Sequence, residues 1–425
     1  MILSPAVLLL ALPKQQSSKR PSKPPFNDAS KSLRPESTAR TLPVRPFITA
    51  YRGAMMIVTC LSILAVDFRV FPRRFAKTEN WGTSLMDLGV GSFVFSAGIV
   101  AARPILSLKL SSKSSKGLTR RLWQSLRHGL PLFVLGFVRL YSVKGLDYAE
   151  HVSEYGVHWN FFFTLALLPP SVALLSSIPR FTHLAAPLAL VIACTYQVLL
   201  ESTNLKAFIL TSPRNANFLS QNREGVFSFL GYLSIFLAGQ GLGLQILPNN
   251  YHPQTITVQK SAWTRRRNLL LLILFWGSSS TMLYTLTSSY TYGQNIRPSR
   301  RLANLPYVLW VTATNSFLLL SFAVIETSCF PAVYRSPLQD VGTSSKEDQR
   351  HGVAIAFATS KTLSAFNKNG LAIFLLANLG TGAVNLGVDT LGAGPGKAMG
   401  ILVVYGAVIT GVAVGLEAWG VSVKV

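Results

Sequence analysis

Ten apolar stretches recur along this chain, at about 48–67, 83–103, 129–143, 159–178, 182–201, 226–247, 268–288, 305–326, 369–388 and 398–418. This recurrence constrains the fold more than any other feature. A run near twenty residues matches the hydrocarbon thickness of a bilayer. In hydrocarbon every backbone amide needs an internal partner, so such runs form helices. The strict alternation of a membrane β-barrel is not seen. The expectation is an all-α fold: a polytopic transmembrane helical bundle of about ten complete spans plus one N-terminal partial helix. Composition agrees, since 13% of the 425 residues are charged and 49% are hydrophobic. Soluble domains carry about a quarter charged residues.

The first thirteen residues, MILSPAVLLLALP, are apolar but too short to span, and no basic leader precedes them. They read as a partial helix rather than a signal peptide. Residues 14–46 are rich in Ser, Pro and Lys, with eight Lys/Arg against Asp28 and Glu36. That composition predicts a disordered basic loop. Residues 47–425 then form a membrane-embedded core, broken by a polar insert at 336–364. No internal repeat is visible.

The net charge of +24 would suggest nucleic acid in a soluble protein. Here basic loops that set topology and touch anionic headgroups explain it, so the bilayer and not nucleic acid is the expected partner. Cys60, Cys194 and Cys329 show no metal spacing, and no histidine pair has i, i+4 spacing. No disulfide framework and no metal site are expected.

Loop charges orient the spans. Loop 104–128 holds six Lys/Arg and no acid, and loop 248–267 holds Lys260 and Arg265, Arg266 and Arg267. With loop 14–46 they lie an even number of spans apart, which places all three, and the C-terminus, in the cytosol. Four polar stretches then fall on the opposite face: 68–82, GLDYAEHVSEYGVHWNFFF (145–163), NREGVFSFLGY (222–232) and SRRLANLPY (299–307). Cationic residues that defy the orientation bias need another reason, and anion binding is the obvious one.

Several side chains there are candidates for chemistry. Asp67 ends one span and Asp87 lies one turn inside the next. For Asp87 the plain structural reading is a salt bridge to Arg139 or Arg73; for Asp67 it is a helix-terminal charge at the interface. Arg69, Arg73, Arg74 and Lys77 either snorkel to headgroups or capture phosphate. Arg223, Arg300 and Arg301 lie on the same face and can join them. His151 and His158 flank Tyr155–Gly156; each is a potential general base or an interfacial hydrogen-bonded histidine. Neither a serine nucleophile elbow, nor a His-x4-Asp pattern, nor a phosphate-binding glycine loop occurs.

The stretch DFRVFPRRFAKTENWGTSLMDLGVGSFVFSAGIV (67–100) closely resembles the GPI-inositol acyltransferases, membrane enzymes of the endoplasmic reticulum. HVSEYGVHWNFFFTLALLP (151–169), NREGVFSFLGY, RRLANLPYVLW (300–310) and NGLAIFLLANLGTGAVN (369–385) resemble further blocks of that family, in its order, and the wording suggests a fungal member. The resemblance implies about thirteen helices, so this chain departs from the pattern by about three helices before loop 14–46. It implies a lumenal active face and transfer of a fatty acyl chain, usually palmitoyl, from acyl-CoA to the inositol of glucosaminyl-phosphatidylinositol. Acyl-CoA is then a co-substrate, and no cofactor is expected. The family's proposed catalytic Asp and Lys, ten residues apart, map onto Asp67 and Lys77.

Acyl transfer to a secondary hydroxyl needs a base, an oxyanion donor and a dry site. The expected roles are Asp67 as base, Lys77 at the oxyanion or tuning Asp67, and Arg73 and Arg74 on phosphate. His158 is the alternative base. Asp87, Arg139, His151, Glu154, Asn222, Arg223, Arg300, Arg301 and Asn378 are the remaining candidate substrate contacts. The acyl chain is expected beside FSFLGY and HWNFFF. Two other classes compete: a multi-span lipid transporter or scramblase, and a non-catalytic subunit of a GPI-pathway complex. Transporters tend to show repeats and polar sites near the midplane, whereas polar groups here gather towards one face.

Overall fold

The computed structural model describes residues 45–110, 117–144, 152–214, 217–247, 262–334 and 344–422. Among them all regular structure is helical. The main elements are α1 Pro46–Ala65, α2 Leu85–Leu110, α3 Leu118–Lys144, α4 Phe161–Leu175, α5 Phe181–Ser202, α6 Arg223–Ile246, α7 Ala262–Ser288, α8 Leu305–Cys329, α9 Ser344–Ala358, α10 Lys361–Lys368, α11 Gly370–Gly387 and α12 Pro395–Ala418. Eight of these are long and apolar enough to cross a membrane: α1, α2, α5, α6, α7, α8, α11 and α12. The chain is a multi-pass helical membrane protein.

The other two expected spans form as helices of a different kind. α4 is apolar but has 15 residues. α3 begins at Leu118 rather than near 129, because Trp123, Leu126 and Leu130 continue an apolar stripe at helical spacing among Arg120, Arg121 and Arg127. α3 and α4 pair with each other, with Phe133 and Phe137 against the Phe163 ring. The polar insert also differs from expectation, since α9 and α10 occupy most of 344–368. Ser360 caps α10, and Ala365 and Phe366 are buried in the cluster that α10 shares with α1, α11 and α12. Residues 1–13 and nearly all of 14–46 lie outside the described residues.

Proline and asparagine mark several helix starts. Pro46, Pro306 and Pro395 sit in first turns, where a missing N–H costs nothing. Asn160 caps α4 through the Phe162 and Phe163 amides.

α6 is the central helix. Of its most apolar window 78% is buried, against 17% for α11 and α12, which face outwards. α6 packs between α2 and α5. A Cβ on Gly98 of α2 would stand 2.1 Å from the Phe236 carbonyl oxygen, and one on Gly239 of α6 would stand 2.2 Å from that of Phe95. Such backbone proximity is how helices associate without a hydrophobic driving force. A smaller cluster joins α1, α10, α11 and α12, where the Tyr405 hydroxyl reaches the Ala377 carbonyl at 2.9 Å. The end of α1, the starts of α2, α6 and α8, and the end of α11 share one end of the bundle, and it is there that the polar side chains meet.

Candidate functional site

The site is organised around two buried carboxylates. Asp87, in the first turn of α2, is fully buried. Its carboxylate accepts from the Thr78 hydroxyl at 2.9 Å, the Ser84 hydroxyl at 2.8 Å and Arg300 Nε at 2.8 Å. A carboxylate at a helix N-terminus also meets the positive end of the helix dipole. Arg300, just before α8, is itself buried, and its Nη2 reaches Glu154 at 3.3 Å. Lys77 Nζ donates to the same Glu154 oxygen at 2.9 Å. Asp87, Arg300, Glu154 and Lys77 thus form one chain of alternating charge.

Tyr155, Tyr232 and Tyr307 are buried beside it, and the Tyr307 hydroxyl donates to the Asp87 carbonyl at 2.8 Å. Burial works against the Arg300 cation, but the Glu154 and Asp87 carboxylates beside it outweigh that and hold its pKa above the ordinary arginine value. Arg300 is therefore a fixed charge. Burial pushes the Tyr155 phenol well above its usual range, so it stays protonated.

Glu224 forms the second knot, at the start of α6, and is also fully buried. Arg214 binds it through two nitrogens at 2.6 and 3.1 Å, and Arg301 Nη2 donates to it at 2.7 Å. Arg301 Nη1 continues to Asn80 at 2.7 Å. Arg223 is turned onto the Ile209 and Ser212 carbonyls. Asn222 accepts the backbone amides of His158 at 2.8 Å and Trp159 at 2.9 Å. The approach requires Gly156, whose φ is +123° and where a Cβ would stand 2.6 Å from Asn222 Cα. The His158 ring stacks on Phe218 with centroids 5.9 Å apart.

Asp67 stands just past the end of α1, where its Oδ2 accepts from Asn385 Nδ2 of α11 at 2.9 Å. Asn385 follows Val384, which lines an apolar groove of about 520 Å³ between α11 and α12. Gly380, Ile401, Val404, Tyr405 and Val408 form its walls. Lys397, in the first turn of α12, lies at the same end as Asp67. The groove's walls come from α11 and α12 alone, and it shares with Asp67 the end of the bundle at which Lys397 stands.

The four polar stretches expected on one face do meet, joined by direct contacts: Lys77 and Arg300 with Glu154, and Arg301 with Asn80 and Glu224. The details differ from expectation. Asp87 pairs with Arg300, not with Arg139 or Arg73. Arg139 is exposed on α3, and Arg73 Nη1 folds back onto the Val66 carbonyl at 2.8 Å. The true partner is 213 residues away in sequence, a separation that hydropathy does not bridge. Asp67 and Lys77 do not pair, because Asn385 and Glu154 take them. Arg74 is exposed over the Phe75 ring at 4.7 Å. Asn378 is exposed on α11 and bonds its own helix at Phe374. His151 lies outside the described residues. Within FSFLGY, Ser228, Gly231 and Tyr232 are buried, and Phe227, Phe229 and Leu230 are half-buried. Glu224, Arg214 and Asn385 escaped the sequence reading. The signal for Glu224 was present, as an acid opening a long apolar run.

The family described as GWT1 matches residues 1–416. The chain is similar to GPI-anchored wall transfer protein 1 of Gibberella zeae, at 54% identity over 100% of this chain and 83% of that protein. It is 52% identical to the protein of that name in Aspergillus fumigatus, over 98% of this chain and 82% of the relative. For the Saccharomyces cerevisiae protein of that name the identity is 40%, over 95% and 79%. With matches of this extent over a polytopic helical fold, the chain belongs to the GWT1 family.

Proposed function

We propose that this protein is a membrane-bound O-acyltransferase of GPI-anchor biosynthesis. It moves a fatty acyl chain, palmitoyl in the first instance, from acyl-CoA to the inositol hydroxyl of glucosaminyl-phosphatidylinositol. It works in the endoplasmic reticulum membrane with the Asp67 end lumenal and the C-terminus cytosolic. The names of its relatives support the pathway. The observation that carries the reaction is the Asp67 carboxylate, held by Asn385 of α11, the residue after Val384 of the apolar α11–α12 groove.

A groove of that character accepts an acyl chain and keeps its carboxyl end near Asp67. Asp67 removes the proton of the inositol hydroxyl, and the oxygen attacks the thioester carbonyl. The tetrahedral oxyanion collapses, the C–S bond breaks, and the departing sulfur takes the proton back from Asp67. Atoms balance without a covalent enzyme intermediate. Lys77 is anchored by one contact to Glu154, and an ammonium has three donors, so donors remain for the oxyanion. Asn385 positions Asp67. The buried Asp87–Arg300 and Glu224–Arg214–Arg301 knots hold the rim rigid beneath the exposed Arg73 and Arg74, which meet phosphate. His158, stacked on Phe218, is the weaker candidate base.

The experiment is an acylation assay on the purified full chain in proteoliposomes. Acyl-CoA-dependent appearance of acyl-inositol product is the expected result. Protein-dependent flux of labelled lipid across the vesicle, with no acylated product, would instead establish a transporter or scramblase.

A further inference from the structure

The opposite end of the bundle carries a second concentration of charge, and it is built differently. Arg52 lies six residues into α1, about 9 Å below the helix start at 1.5 Å per residue. It faces Arg103 of α2 across a pocket of about 300 Å³ that Thr49, Ile48, Ile99 and Asn367 also line. Among the described residues no carboxylate lies within ion-pair distance of either guanidinium. Arg52 Nε is buried without a partner, as is Asn367 Oδ1. The surroundings add positive charge, since Arg45 is buried nearby with its own Nε unpartnered. Arg265 and Arg266 cap the Tyr334 and Thr327 carbonyls. The acids at this end are occupied elsewhere: Glu326 accepts from the Phe47 amide and the Tyr334 hydroxyl, and Glu417 from the Ser364 hydroxyl.

A half-buried arginine inside a membrane span, with its Nε sealed from solvent as in Arg52, is costly unless something compensates it. Two converging guanidiniums match the double charge and planar oxygen pairs of a phosphate group. Asn367 and Thr49 add neutral polar contacts, and 300 Å³ is room for a phosphate with part of what it is attached to. We propose that the Arg52–Arg103 pocket binds a phosphate ester, at the end of the bundle remote from Asp67.

Two sources share that chemistry: the phosphates of a nucleotide-bearing acyl donor, and the headgroup phosphate of a phospholipid. Asp87 and Arg103 lie on one helix sixteen residues apart (103 minus 87), about 24 Å along its axis. A donor held by its phosphates in this pocket must therefore reach the acyl-transfer end through a long arm. The donor arm of the proposal rests on the acyltransferase reading, whereas the phosphate site does not, and binding is measured separately from turnover.

The test uses the purified full chain in detergent, with thermal unfolding and direct binding as readouts. The probes are coenzyme A without an acyl chain, and short-chain phosphatidylinositol with the matching uncharged diacylglycerol as control. The variants are Arg52→Gln and Arg103→Gln. Losing one charge-assisted contact is expected to weaken the phosphate probe about tenfold or more. Removal of an uncompensated buried charge is expected to leave the unliganded Tm unchanged or higher. A response to coenzyme A identifies the donor as the source, and a response to phosphatidylinositol alone identifies the lipid. The proposal is overturned if neither probe binds the native protein, or if both variants keep native affinity. A lowered unliganded Tm with undiminished phosphate affinity would likewise assign the arginines to folding alone. Arg52→Lys keeps the charge without the fork, and partial recovery of binding relative to Arg52→Gln is expected.

Discussion

The two ends of the bundle hold comparable sets of buried and half-buried arginines and use them differently. At the Asp87 end, Arg300, Arg301 and Arg214 each meet a buried carboxylate, with contacts of 2.6 to 2.8 Å. At the Arg52 end, Arg52 and Arg103 meet none among the described residues, and a pocket lies between them. Paired buried charges fix geometry, because breaking a pair leaves an uncompensated ion. Unpaired ones leave that compensation to a ligand. The first end is thus a scaffold of paired charges flanked by the exposed Arg73, Arg74 and Lys77 and the half-buried Asp67, and the second presents the pocket proposed above as a phosphate site.

The comparison breaks most readily at Glu224. Glu224→Gln leaves Arg214 and Arg301 facing one neutral amide, and a loss of about 3–5 kcal/mol is expected, read as the collapse of the unfolding transition in detergent. If the variant melts like the native protein, the knot is not structural. A sharper version uses a cycle on the other knot. Asp87→Asn and Arg300→Met alone should each cost about 3 kcal/mol, while the double variant should cost clearly less than their sum. Strict additivity would mean that the 2.8 Å contact carries no coupling. The smallest effect on stability is expected at Lys77→Gln. Its pair with Glu154 is half exposed, with side-chain exposures of 45% and 20%, and such pairs contribute about 0–1 kcal/mol. A fall in acylation by that variant with an unchanged Tm would place Lys77 in the reaction and not in the fold.

Much of this was legible in the residues. Apolar length alone predicts α1, α2, α5, α6, α7, α8, α11 and α12, because hydrocarbon enforces helices. Basic loops predict that 68–82, 222–232 and 299–307 share a face, and the contacts of Arg301 with Asn80 and Glu224 bear out that they meet. Charge partners were not legible. Asp87 finds Arg300, and Asp67 finds Asn385 318 residues away, because helix packing and not sequence spacing decides which rim residues meet. α10 was missed because eight residues give too short a period to stand out. Arg52 and Glu326 were passed over inside apolar runs, where a single charge barely changes the mean hydropathy yet marks the second end of the molecule.

The central claim is that the Asp67 carboxylate, oriented by Asn385 of α11, performs the proton transfer. The direct measurement is acyl-inositol formation by Asp67→Asn in proteoliposomes, with folded protein quantified by its melting transition. A general base contributes about 10²–10⁴-fold. Turnover should therefore fall by at least about 10²-fold while the amount of folded protein and its Tm stay unchanged. Native turnover from Asp67→Asn would contradict the account and return the base to another residue of the rim.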